Sequence, residues 1–217
     1  MKPGKFVTRL YAALLFCGIS VISFSQTLKD VFTNSESPLV YLGIEFSKTR
    51  LLDIGNADDI RARQYGAINQ LIVNEPKKFD LKKAFRKSNI EHDFSAVTKN
   101  YATANLNDIL STNSADFNRF KESDVTAIVK SLDLAGKQGI GLLFVVEAFR
   151  KMDKKGDAAI WVTFVDMKTK KVLMTERIES KGSSAIGFRN YWASTIKNLI
   201  DTIEDKKYKE WQAKYGS

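Results

Sequence analysis

Two glutamates stand inside runs that otherwise exclude charge: Glu45 in LVYLGIEF (39–46) and Glu147 in LLFVVEAF (142–149). A carboxylate within a central strand must find a hydrogen-bonded partner or reach solvent, because burying it alone is costly. On neighbouring strands and one face, the pair could act as acid and base with pKa values driven apart. The alternative is that each lies near a strand end or pairs with an arginine for structural reasons. His92, between Glu91 and Asp93, is a third candidate. As a general base it needs a carboxylate that orients its ring, and the alternative is a histidine on the surface. A hydrolase built on Glu45, Glu147 or His92 requires those side chains to converge on one concave pocket.

A different chemistry is suggested by Gly187-Phe188-Arg189-Asn190-Tyr191-Trp192 at the start of a helix. Free backbone N–H groups there could receive an anion beside Arg189 and Asn190. The competing reading is a packing corner, with Phe188 and Trp192 filling the core edge and Arg189 paired with an acid. Other chemistries are excluded by count. With one histidine, a multi-histidine zinc site is impossible, and with Cys17 as the single cysteine there is neither a disulfide framework nor a thiolate metal site. No Walker loop, dinucleotide fingerprint or Gly-x-Ser-x-Gly elbow is present. No cofactor and no metal are expected.

Where these residues would work is set by the amino terminus. Lys2, Lys5 and Arg9 precede an apolar stretch from Leu10 to Phe24 that closes in Ser23-Phe24-Ser25. This is the layout of a signal peptide over residues 1–25, with cleavage expected after Ser25 and delivery to the periplasm or beyond the cell. The 15 apolar residues fall short of the roughly 20 that span a bilayer. Leu14-Leu15-Phe16-Cys17 also resembles a lipoprotein cleavage box, with Phe16 where a small residue is usual, so lipid anchoring at Cys17 is the alternative to release. The formal charge of +9 falls to +6 without the leader. That balance favours anionic surfaces, although Lys77, Lys78, Lys82, Lys83, Lys168, Lys170 and Lys171 also suit solvated turns and helix faces. Nucleic acid is not an expected partner, since no basic motif with interleaved aromatics stands out.

The elements that must position these groups follow from periodicity. Residues 26–38 read as a polar lead-in and Leu39 to Phe46 as a strand covered on both faces. Asp58 and Asp59 open a helix with Ile60, Ala67, Ile68, Leu71 and Ile72 inward, ended by Pro76. A helical turn is expected over Asp80 to Lys87 and mixed structure from Ile90 to Leu110. A helix capped by Ser123 follows, with Val125, Ile128, Val129 and Leu132 buried and Gly136 beyond its end. Ile140 to Phe149, Ala158 to Asp166 and Lys171 to Ser180 form an antiparallel three-strand meander. A helix from Phe188 to Lys206 then lays Trp192, Ile196, Leu199, Ile200 and Ile203 on the sheet, and 207–217 read as a polar tail. The expected fold is α+β, a layered α/β sandwich whose mixed sheet carries the C-terminal meander, as a single domain over 39–206.

The pattern GIGLLFVVEAF, then AAIWVTFVDMKTKKVLMTERIES, then a long amphipathic helix, resembles exported domains of the CsgG and TolB amino-terminal kind over roughly residues 139–204. The shared feature is the turn Asp166-Met167-Lys168-Thr169-Lys170-Lys171-Val172-Leu173, with Lys170 where those families often have glycine. YLGIEFSKTRLL, INQLIVNEPKKFD and GFRNYW are similar to exported proteins of unknown function from Bacteroidetes-type bacteria. The resemblance implies the cell envelope and supplies no catalytic residues. The resulting expectation is a non-catalytic exported module that binds or assembles with an envelope protein or anionic surface polymer. An exported hydrolase, or a binder of anionic lipid or polysaccharide, is the alternative.

Overall fold

The computed structural model describes residues 26–52, 55–152, 155–183 and 187–217. The expected leader over 1–25, its expected cleavage position and Cys17 lie outside the described residues. A six-stranded sheet runs in the order β3 (Glu91–His92), β1 (Val40–Glu45), β4 (Ile140–Met152), β5 (Lys155–Asp166), β6 (Lys171–Lys181), with β2 (Arg50–Leu52) also paired to β4. β1, β2 and β3 join in parallel, whereas β4, β5 and β6 form the antiparallel meander. The fold is therefore α+β with a mixed sheet and helices packed on it.

The two faces are told apart on β6. Glu176 accepts from Trp211 Nε1 at 2.5 Å, while the next residue, Arg177, donates to Glu147 at 2.8 Å. Successive strand side chains point to opposite faces, so the long helix over 188–215 lies on one face and the Glu147 network on the other. Phe164, Phe85, Phe32 and Trp211 meet edge-on or stacked beneath the helix.

Both long helices contain a π turn, Ile60–Gln64 within 57–74 and Ile203–Lys207 within 188–215. Tyr65 N–H reaches Ile60 O and Tyr208 N–H reaches Ile203 O, which inserts one residue into the helical repeat. The inward stripe consequently steps from Ile60 to Tyr65 and from Ile203 to Tyr208 and Trp211, all buried. This corrects the polar tail expected over 207–217: the chain stays helical to Tyr215.

The lead-in expected over 26–38 also belongs to the core. Thr27 and Asp30 form a capping box at the start of the helix Leu28–Thr33, and Val31 and Phe32 are fully buried. Phe32 packs on Tyr208, Trp211 and Tyr215, and its carbonyl accepts from Tyr208 Oη at 3.3 Å and Gln212 Nε2 at 2.8 Å. The helix Glu122–Ser131 begins two residues earlier than a cap at Ser123 implied. Lys121 is its extended cap, and Asp124 accepts the Lys121 N–H at 2.7 Å, a role Ser123 cannot take from inside the first turn. Val125, Ile128, Val129 and Leu132 are buried as expected.

The turn between β5 and β6 explains Lys170. Its φ of +56° is the left-handed conformation that favours glycine. Its ammonium, however, donates to Leu132 O at 2.5 Å and Lys130 O at 3.4 Å, capping the carboxyl end of the helix Glu122–Ser131 as no glycine could.

Candidate functional site

A β-bulge aims Glu147. The β4–β5 register skips from Val146–Ile160 to Ala148–Ala159, leaving Glu147 as the extra residue. On the other side of β4, β1 ends opposite Val145 and β2 resumes opposite Ala148. Thr49 Oγ1 fills that gap by donating to Val146 O at 2.7 Å.

Glu147 is fully buried and accepts four donors. Oε1 takes the backbone N–H of Arg119 and that of Phe120, the latter at 2.7 Å; Oε2 takes Trp161 Nε1 at 3.1 Å and Arg177 Nε at 2.8 Å. Arg177 also donates to Phe117 O at 2.7 Å and to Glu179 at 2.8 Å. The guanidiniums of Arg150 and Arg177 lie 3.8 and 5.8 Å from the centroid of the Phe117 ring. Such saturation suits a carboxylate that fastens segment 117–120 to the sheet, since a charge this buried is tolerated only when paired and fully bonded. The arginine partner that strand reasoning anticipated is Arg177.

Glu45 is the opposite case. It lies across from Val145, and Val145 across from Trp161, so it belongs to the same region of the sheet. Its Oε1 accepts Ser47 N–H at 2.5 Å, but its buried Oε2 and the buried Tyr65 hydroxyl have no hydrogen-bond partner among the described residues. Burial pushes the Glu45 carboxyl up to about 7 against the opposing Ser47 contact, and burial with the nearby Glu45 charge also raises Tyr65. The two glutamates differ in their partners: Glu147 is ion-paired, whereas Glu45 has neutral ones, the Ser47 N–H with the Ser47 and Asn100 side chains nearby, none of them bonded to its Oε2.

Between their partners lies an open polar cavity of about 450 Å³. Ser47 and Lys48 follow directly from Glu45, and Arg119 and Phe120 are the residues that Glu147 holds. Asn100 links two other lining residues, donating to Ser47 Oγ at 3.0 Å and accepting from Ser131 Oγ at 3.4 Å. Arg119 donates to Lys48 O, has no partner for its buried Nε among the described residues, and is pulled down in pKa by burial and by Arg50. Beneath the neighbouring stretch, Gly43 at φ +96° makes room for Asn69, which clamps Ile44 through its N–H at 2.7 Å and its carbonyl at 3.1 Å. The β3-β1-β4 order makes the carboxyl end of β1 a point where the chain passes to either side, the position where open α/β sheets form binding crevices. Ser47, Asn100, Arg119 and Ser131 were not singled out from the sequence. They come from four separate segments with no local motif.

The other candidates lie elsewhere. His92 is exposed on the edge strand β3, with its ring 5.2 Å from Phe94, and Asp93 pairs with Lys137 rather than orienting it. Arg189 and Asn190 are exposed at the start of the long helix; Phe188 meets Trp192 at 6.0 Å as the packing-corner reading expects, but among the described residues no acid pairs with Arg189 as that reading also required. His92, Arg189 and Asn190 do not line the cavity beside the glutamates. Among the described residues, no helix is long and apolar enough to cross a membrane.

This architecture defines the class, a mixed-sheet α+β domain with a polar crevice at the end of a parallel strand. No family model matches the chain and no curated protein matches it. Solved structures similar to it include a hypothetical protein of Chlamydia trachomatis, with 9% identity over 83% of this chain and 96% of that one and a TM-score of 0.34. A lipoprotein of Neisseria meningitidis is similar at 14% identity over 77% and 99%, TM-score 0.31. A neuraminyllactose-binding hemagglutinin homologue of Helicobacter pylori is similar at 10% over 84% and 88%, TM-score 0.33.

Proposed function

We propose that the chain is an exported, non-catalytic module of the cell envelope that binds its ligand or assembly partner in the crevice at the carboxyl end of β1. The observation that carries this reading is the contrast between Glu147, whose oxygens are occupied by four donors, and the adjacent cavity. That cavity offers Ser47, Lys48, Asn100, Arg119 and Ser131, and the one carboxylate in its lining, Asp124, already accepts the Lys121 N–H. A few convergent polar groups over an apolar floor, here Phe120 and Ile128, are what recognition needs. The basic leader and short apolar run support export, and the resemblance to CsgG- and TolB-type domains supports the envelope.

Ala127 is exposed at the rim of the cavity, so Ala127→Phe fills the cavity without disturbing the core. Pull-down from envelope fractions with the exported protein is expected to retain a partner or ligand that the filled variant loses. Recovery of nothing by the unaltered protein, or equal recovery by both, overturns the proposal.

A further inference from the structure

The geometry points to a second functional surface: the end of the sheet where β4, β5 and β6 meet the start of the long helix docks on an anionic phospholipid surface. The inference rests on export to the envelope but not on the β1 crevice.

Four exposed cations from four elements gather there: Lys151 on β4, Lys155 on β5, Lys181 on β6 and Arg189 on the helix. Register brings the first three together, since Lys151 lies opposite Gly156, Met152 opposite Lys155, and Asp157 opposite Lys181. Gly182 N–H donates to Gly156 O at 2.6 Å, holding the end of β6 against the start of β5. A side chain at Gly156 would come within 2.8 Å of Tyr191 and 2.9 Å of Trp192, so the helix start abuts the same hairpin, and the Lys151 ammonium sits 5.9 Å from the Tyr191 ring centroid. Arg189 and Arg63 line a shallow recess on the adjoining side.

The carboxylates nearby are already occupied. Asp157 pairs with Arg150 at 3.1 Å, Glu179 with Arg177 at 2.8 Å, and Asp59 with Arg63. Among the described residues, Lys151, Lys155, Lys181 and Arg189 have no acidic partner. Asp153 and Lys154, which follow Met152 in the sequence, cancel in formal charge. A small anion would call for donors converging in one hollow; here the cations spread over the end of four elements, which matches a plane of charge. Each cation near an anionic bilayer is worth roughly fivefold in partitioning, so four give several hundredfold at low salt.

The test is sedimentation of the exported protein with vesicles of phosphatidylcholine alone and with about a third phosphatidylglycerol, at about 50 and about 500 mM NaCl. Binding is expected to the anionic vesicles only and to vanish at the higher salt. Lys155→Gln with Lys181→Gln is expected to weaken it about thirtyfold. The control pair Lys29→Gln with Lys168→Gln removes the same charge from exposed sites outside this surface and is expected to change binding less than about threefold. Absence of binding to anionic vesicles, equal loss in the control pair, or displacement by millimolar inorganic phosphate overturns the inference. Partner recovery through the β1 crevice is read separately, so the two readings fail independently.

Discussion

Glu147→Gln tests whether the bulge carboxylate is the fastener that its geometry describes. The amide keeps shape and volume but offers one acceptor oxygen where the carboxylate offers two. Whichever way it turns, its NH2 group faces two donors: the N–H groups of Arg119 and Phe120, or Trp161 Nε1 and Arg177 Nε. Each lost bond that leaves a buried donor unpaired costs about 1–3 kcal/mol, and breaking a buried ion pair from one side costs about 3–5 kcal/mol. We expect a loss of about 3–5 kcal/mol, read by urea denaturation as a lower midpoint with unchanged slope, and a Tm lowered by about 6–20 °C for a domain of this size. Hydrogen exchange at Arg119 and Phe120 should accelerate more than at core strand amides. Replacing both partners, Glu147→Gln with Arg177→Met, should cost less than the two single changes summed, by about 1 kcal/mol or more. If Glu147→Gln lies within about 1 kcal/mol of the unaltered protein, the network does not fasten the segment and the reasoning fails.

Glu45 predicts a pH dependence of definite sign. Its folded pKa of about 7 lies above its usual value, so the folded state binds more protons than the unfolded state between those limits, and stability falls as pH rises through that window. Glu45→Gln should flatten the profile and gain on the order of 3 kcal/mol at pH 8 relative to the parent; equal slopes in both proteins would exclude a buried, poorly partnered carboxyl. Trp211→Ala should cost about 3–5 kcal/mol by thermal unfolding, because its ring packs on Phe32, Phe85 and Phe164 and its Nε1 is bonded to Glu176. A cost under about 1 kcal/mol would return 207–217 to the status of a tail.

The strands and their order in the meander were legible because apolar runs bounded by turn residues state their own period: β5 and β6 begin or end within three residues of the expected limits. Periodicity was silent where one residue is added. The π turns shift Tyr65, Tyr208 and Trp211 onto the buried stripe, out of step with a 3.6-residue count, and the bulge at Glu147 breaks the period of two. The helix Leu28–Thr33 did announce itself, through Thr27-x-x-Asp30 and the spacing of Leu28, Val31 and Phe32, but its six residues are outweighed by polar neighbours. Of the cavity nothing was readable, since Ser47, Asn100, Arg119 and Ser131 meet only through long-range pairing. The glutamates were visible as anomalies; that one would be saturated and the other left half bonded depends on where segment 117–120 returns to the sheet.

The seam between Phe32 and the 208–215 helix joins residues 176 and 180 positions apart in the chain. Synthesis runs from one side of that seam to the other, so a ribosome must deliver the chain through Gln212 before the zipper can close. Until then Val31, Phe32 and the sheet face they pack on lack their cover. Late closure of this kind leaves the 208–215 helix to lock a chain whose single cysteine cannot form an internal disulfide.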